Sequence, residues 1–397
     1  MAATDESLVV PAKAGTQRRN DKDTGSLLAQ GRQGNALLAA ALALPGILPA
    51  AAHAQTAPDQ GVIALRYFDY RDWQPGADRM TVRSPSLYVL APLTDSLSLE
   101  GSLVYDAMSG ASPLYFNTLS GASGLGVTDY RKAGDLKLTK YFDRWAIGAG
   151  VAYSNERDYI SRAASLDVRT WTPDKNRTWA FGIGGAHDDV NPTNGAAEGV
   201  HRETYDFLVG VTQVLNAGAI VESNVTYSDG RGYYNDPYKP LDRRPDTRNV
   251  WAWLTRYNRY IEPFDATLRL SYRYIHDSWH ADSHTLGVEW VQPLPQGFTL
   301  TPGLRYITQD HAFFFYGPPL GNGLKPGQPY SADPRLSAFG AFTPSVRLDK
   351  QFADGWSADV AMSFYRQKSS WRVFGSGSEG LLDFSARWFE LGVQKVF

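Results

Sequence analysis

Alternation with period two governs this chain. In 266–275, Ala266, Leu268, Leu270, Tyr272 and Tyr274 hold one set of positions; Thr267, Arg269, Ser271, Arg273 and Ile275 hold the other. The same division sets Tyr205, Phe207, Val209 and Val211 against Thr204, Asp206, Leu208 and Gly210. It sets Trp145, Ile147, Ala149, Val151 and Tyr153 against Ala146, Gly148, Gly150 and Ala152. Successive side chains of a strand point to opposite faces. Each segment therefore puts one face in an apolar medium and the other among polar or small groups.

The connections alternate too. Short turns near 92–95, 142–144, 173–176, 216–218, 262–264, 293–297 and 352–355 are followed mostly by longer polar loops at 71–79, 107–127, 188–200, 229–246, 310–333 and 367–383. Two further connections on the long-loop side, 155–157 and 277–282, are short. This spacing predicts strands at 61–70, 79–91, 96–106, 128–141, 145–154, 158–171, 177–187, 202–215, 219–228, 247–260, 265–276, 283–293, 298–309, 335–350, 356–366 and 384–397. The fold class this implies is all-β: a transmembrane antiparallel up-and-down β-barrel of about 16 strands (roughly 14–18). A soluble sandwich would not collect short and long turns at opposite ends. Trp145, Tyr153, Trp179, Trp251, Trp253, Tyr272, Tyr274 and Trp290 stand where interfacial aromatic girdles are expected.

Composition removes the rival classes. The chain is 43% hydrophobic, yet its strand region lacks the repeated runs of about 20 apolar residues that membrane helices need. At 13% aromatic it is unlike disordered chains. With no Cys it has no disulfide and no thiolate metal site. A net charge of -2 gives no reason to expect nucleic acid.

One run is not diluted. Residues 36–54, ALLAAALALPGILPAAAHA, follow Arg18, Arg19, Lys22 and Arg32 and end in an A-x-A site. They read as a secretory signal peptide cleaved after Ala54. Residues 1–31 are too long and polar for the basic segment of such a signal, which points to a start nearer Arg32. The expected organisation is 1–54 as extension plus signal and 55–397 as barrel, delivered to the outer membrane of a Gram-negative cell. At the other end, Phe389, Leu391, Val393 and Phe397 alternate up to the last residue. This resembles the C-terminal signal that outer-membrane barrels present to their assembly machinery. Lys395 departs from it.

Several segments carry a wider resemblance: Tyr105–Pro113, Asn155–Ser161, Asp174–Thr178, Gly232–Lys239, Ser271–Tyr274, Asp277–Trp279, Ser283–Thr285 and Leu304–Tyr306. Together they resemble a bacterial family, domain of unknown function 3570, across 61–397. The resemblance implies an outer-membrane barrel and supplies no reaction or substrate.

Four constellations are candidates for function. His276, His280 and His284 lie within nine residues, with Asp277 and Asp282 among them, and offer imidazole and carboxylate to a metal. Ser278 and Ser283 beside these histidines raise a rim triad, but triads are recognised by geometry, not by spacing. Predicted inward charges include Glu100, Asp135, Lys137, Glu222, Arg269, Arg273, Glu289, Arg305, Arg347, Asp359 and Glu390. They form either an ion-pair lattice or, through Arg269, Arg273 and Arg305 facing an acidic wall, a selective constriction. The loop at 310–333 opens with Phe313-Phe314-Phe315-Tyr316, costly if fully solvated.

The expected function is a porin-like or substrate-selective channel passing small solutes, with no enzymatic activity and no cofactor. The alternative is a non-conducting barrel, a surface interaction protein or a sheath for a partner. Small inward residues such as Gly148, Gly150, Gly182 and Gly184 would suit a plug. Expected partners are outer-membrane lipids and lipopolysaccharide, the barrel-assembly machinery, a small solute and a second copy in a homo-oligomer; nucleic acid is not expected.

Overall fold

The computed structural model describes residues 56–110, 127–238, 242–316 and 327–397. Sixteen strands form: β1 Val62–Gln74, β2 Ala77–Thr94, β3 Leu97–Gly110, β4 Val127–Tyr141, β5 Trp145–Asn155, β6 Tyr159–Trp171, β7 Arg177–Val190 and β8 Val200–Asn216. They continue as β9 Ala219–Gly232, β10 Thr247–Ile261, β11 Ala266–Asp277, β12 Ser283–Leu294, β13 Phe298–Gln309, β14 Phe339–Gln351, β15 Trp356–Lys368 and β16 Phe384–Val396. Each strand pairs with its sequence neighbours, and β1 pairs antiparallel with β16, closing a barrel. Closure satisfies every strand edge. The seam is extended by Gly61 and Phe397, each N–H donating to the other's carbonyl at 2.8 and 3.0 Å.

The two faces differ as the alternation requires. Tyr205, Phe207 and Val209 face outward and are exposed, while Thr204, Asp206 and Leu208 between them are buried. Aromatic residues gather at both ends of the outer surface. Phe142 stacks on Trp145 at 3.8 Å at the short-turn end, where Trp179, Phe264 and Trp356 are also exposed. Tyr105 stacks on Tyr130, and Tyr227 packs on Trp251, toward the other end. Lys395, the departure in the terminal pattern, lies over the Trp356 ring and donates to the Asp354 carbonyl, so its charge reaches the turn rather than the apolar band.

The expected long loop at 71–79 is not formed. β1 and β2 continue to a two-residue turn, Pro75-Gly76, with Gly76 at φ +82. Met80 N–H donates to Asp72 across this hairpin at 2.8 Å. Here the hydrophobic alternation ends before the strand does, because both faces have left the apolar band and Arg71, Asp72, Gln74 and Asp78 are polar alike. For the same reason β7 runs on to Val190 and β9 to Gly232. The expected strand start at 335 is also corrected. Pro334–Leu336 is a short 3-10 turn capped by the Asp333 side chain, and β14 begins at Phe339. The signal peptide with Ala54, and the loop segments 111–126 and 317–326, lie outside the described residues.

Candidate functional site

The inner wall is lined by charge, and all eleven residues expected there face inward. Glu100 on β3 stands opposite Lys137 on β4 and accepts from the Tyr88 hydroxyl at 3.1 Å. Lys137 Nζ lies 2.6 Å from Asp167 on β6, reaching past β5. The position it crosses is Gly148, where an added Cβ would come within 2.3 Å of Asp167 and 2.4 Å of Lys137. Gly392 is used likewise: its missing side chain makes room for Asp359. Gly148 and Gly392 thus let neighbouring ionic side chains lie flat on the wall.

Arginines collect on one arc. Arg256 on β10, Arg269 and Arg273 on β11 and Arg305 on β13 face the lumen. Arg269 pairs with Glu289 on β12 at 3.6 Å, and Arg256 with Glu222 on β9 at 3.7 Å. Arg273 stands opposite Thr285 and Leu254, and Arg305 opposite Gly287 and Thr343. Strands β3 to β6 lie on the other side of the closed order and carry Glu100, Asp106, Asp129, Asp135 and Asp167, interleaved with Arg131, Lys137 and Arg169.

Aromatics pack together at the long-loop end. Trp279, in the β11–β12 connection, is fully buried. It meets the edges of Tyr234 and Phe314 at 5.2 and 5.1 Å, and its Nε1 donates to the Thr247 carbonyl. The Arg248 guanidinium lies 4.4 Å over its ring. Phe314, Phe315, Leu336 and Leu381 join inward wall residues Tyr70, Val82, Tyr365 and Trp388 in one cluster. The Phe313–Tyr316 run is thus split: Phe314 and Phe315 are buried while Phe313 and Tyr316 are exposed.

A buried ionic clasp ties two of these loops together. Arg243 and Tyr330 exchange backbone hydrogen bonds at 2.8 and 2.6 Å. Arg244 donates to Asp242 at 2.8 Å and to Asp333 at 2.9 Å. Arg335 pairs with Asp333 and, at 3.2 Å, with Asp236. The Ser331 hydroxyl donates to Asp242. Burial alone would push the Arg244 guanidinium down, but Asp242 and Asp333 outweigh it and hold it above its ordinary value. Arg335 is raised against burial in the same way, chiefly by Asp333. Nothing local in the sequence marks this clasp. Its halves are 89 residues apart at Arg244 and Asp333.

The three histidines are not drawn together. His276 and His284 both face outward, His276 bound to Asp282 at 3.0 Å and His284 to the Tyr272 hydroxyl at 2.9 Å. His280 sits in the turn at φ 68 against the Phe313 ring. Among the described residues, the group of three whose ligand atoms lie within 4.8 Å of one another is instead Asp129, Glu156 and Asp158, on the inner side near the mouth. Asp158 there accepts from the Tyr238 hydroxyl at 2.6 Å.

Comparisons with solved structures return barrels. CdiB from Acinetobacter baumannii matches with a TM-score of 0.48 at 10% identity, over 84% of this chain and 60% of that one. The siderophore receptor PirA from Pseudomonas aeruginosa matches at 0.45 and 10% identity, over 86% and 80%. A Pseudomonas aeruginosa FadL homologue matches at 0.43 and 12% identity, over 89% and 95%. No curated protein matches the sequence. The family described as "Protein of unknown function (DUF3570)" matches residues 34–201 and 193–388, and the chain belongs to that family.

Proposed function

We propose that this barrel is an outer-membrane channel through which small polar solutes pass without energy input, its outer mouth narrowed by its own loops. The observation that carries this reading is the division of the inner wall into an arginine-rich arc on β10 to β13 and a carboxylate-rich arc on β3 to β6. Sixteen strands enclose a lumen wide enough for water. Opposed arcs of charge across such a lumen orient dipolar solutes and favour anions along the basic side. The reading assigns no catalysis and no cofactor. It places the apolar outer surface in lipid and gives the terminal row, Phe389, Leu391, Val393 and Phe397, to recognition by assembly machinery.

A second reading rests on the aromatic cluster at the mouth: a closed barrel that displays its loops to a partner. Swelling of proteoliposomes separates the two. The channel reading expects entry of small anionic and zwitterionic solutes, faster than cations of equal size. The closed reading expects no entry from folded protein.

A further inference from the structure

We infer that the outward basic cluster at the upper end of β15, β16, β1 and β2 is a binding site for the phosphate groups of a phosphorylated glycolipid in the outer leaflet. This rests on the outer-membrane reading but not on conduction.

The cluster is built by register. Arg71 on β1 and Arg387 on β16 stand directly opposite each other on the outer face. Like charges so placed in an antiparallel pair repel, and the protein supplies no carboxylate between them. Arg387 makes no ion pair among the described residues. Arg71 approaches Asp69 only at 3.5 Å. Arg83 on β2 is 60% exposed and 3.6 Å from the same Asp69. Arg366 and Lys368 on β15 share Asp383, at 3.8 and 3.0 Å, and both lie within 6 Å of the Trp371 ring. Five cations thus face Asp69, Asp78 and Asp383 on this stretch of outer wall.

The rows beneath are apolar. Phe364 stands beside Arg387, and Met362 beside Phe389. Below these come Tyr67 opposite Leu391, then Leu65 opposite Val393. All face outward. A ligand that satisfies both tiers has acyl chains below and negative charge above. Arginine matches phosphate oxygens bidentately, and an anion between Arg71 and Arg387 would relieve their repulsion. A soluble phosphate satisfies only the upper tier; a lipid carrying phosphate satisfies both.

The test uses the full chain refolded in neutral detergent, with folding read from heat-modifiable gel mobility. Bisphosphorylated lipid A, dephosphorylated lipid A and inorganic phosphate are added separately. The expected result is that only the bisphosphorylated lipid raises the unfolding midpoint. The double variant Arg71→Gln, Arg387→Gln should bind it about tenfold or more weakly. In neutral detergent alone, Arg387→Gln should fold and be at least as stable as the parent, because it removes a repulsion. A less stable variant there would mean that the arginine is structural and would overturn the proposal. So would equal stabilisation by dephosphorylated lipid, or by inorganic phosphate alone. A dimer formed through this face without lipid would overturn it in favour of a second copy. A barrel that binds the lipid but passes no solute would contradict the channel reading and leave this one standing.

Discussion

Lys137 and Asp167 form an ion pair at 2.6 Å although their strands are not neighbours; β5 lies between them, and the pair crosses it over Gly148. This contact braces the inner wall across an intervening strand, where Gly148 leaves room for it. Removing Asp167 takes from Lys137 its 2.6 Å partner and leaves it with Glu100, opposite on β3. Asp167→Asn should lower barrel stability by about 2 kcal/mol, between the values for exposed and buried pairs. Gly148→Leu should cost a similar amount by displacing the pair. Urea unfolding in a neutral lipid measures both. Unchanged midpoints would mean that the pair does not brace the wall.

The arginine arc should set selectivity. Arg305→Glu reverses charge in the lumen at a position whose register neighbours are Gly287 and Thr343. Anion preference, read as reversal potential across a salt gradient, should fall or invert. Arg269→Gln, which neutralises one charge rather than reversing it, should act more weakly. A reversal potential that ignores Arg305→Glu would assign the arc to structure alone.

The histidines should not form one metal site. His276 is engaged with Asp282 and His284 with Tyr272, so zinc titrated into folded protein should bind no more weakly to His276→Ala or His284→Ala than to the parent. Loss of a tight site in either variant would contradict this placement.

Phe397 should matter for assembly. Phe397 closes the seam on Gly61 through two backbone hydrogen bonds. Deleting Phe397 should reduce the fraction of heat-modifiable barrel in outer-membrane extracts. An undiminished fraction would remove the terminal row from assembly.

The barrel was legible in the sequence because an apolar surround outside and a polar lumen inside force alternation on every strand that crosses between them. Tyr205, Phe207 and Val209 show that rule in its plain form. Above the apolar band the rule lapses, and so the strand ends at Arg71–Gln74 and Asp188–Val190 were hidden. The candidate site was legible as inward charges, since inwardness follows from parity. Its geometry was not. Which arginine meets which carboxylate depends on register between strands, and Gly148 discloses its purpose only once Lys137 reaches across it. The clasp of Arg244 with Asp333 was out of reach for a different reason: it joins two loops that have no periodicity to read.

The clasp gives the most direct test of a channel narrowed by its own loops. Asp333 holds Arg244 and Arg335 together at the mouth, so Asp333→Ala should loosen the tie between the two loops while leaving the strands and the Arg243–Tyr330 backbone pair in place. Single-channel recording in planar bilayers should then show small steady openings for the parent and larger ones for the Asp333→Ala variant. Silence from both, with heat-modifiable folding confirmed for each, would contradict the channel.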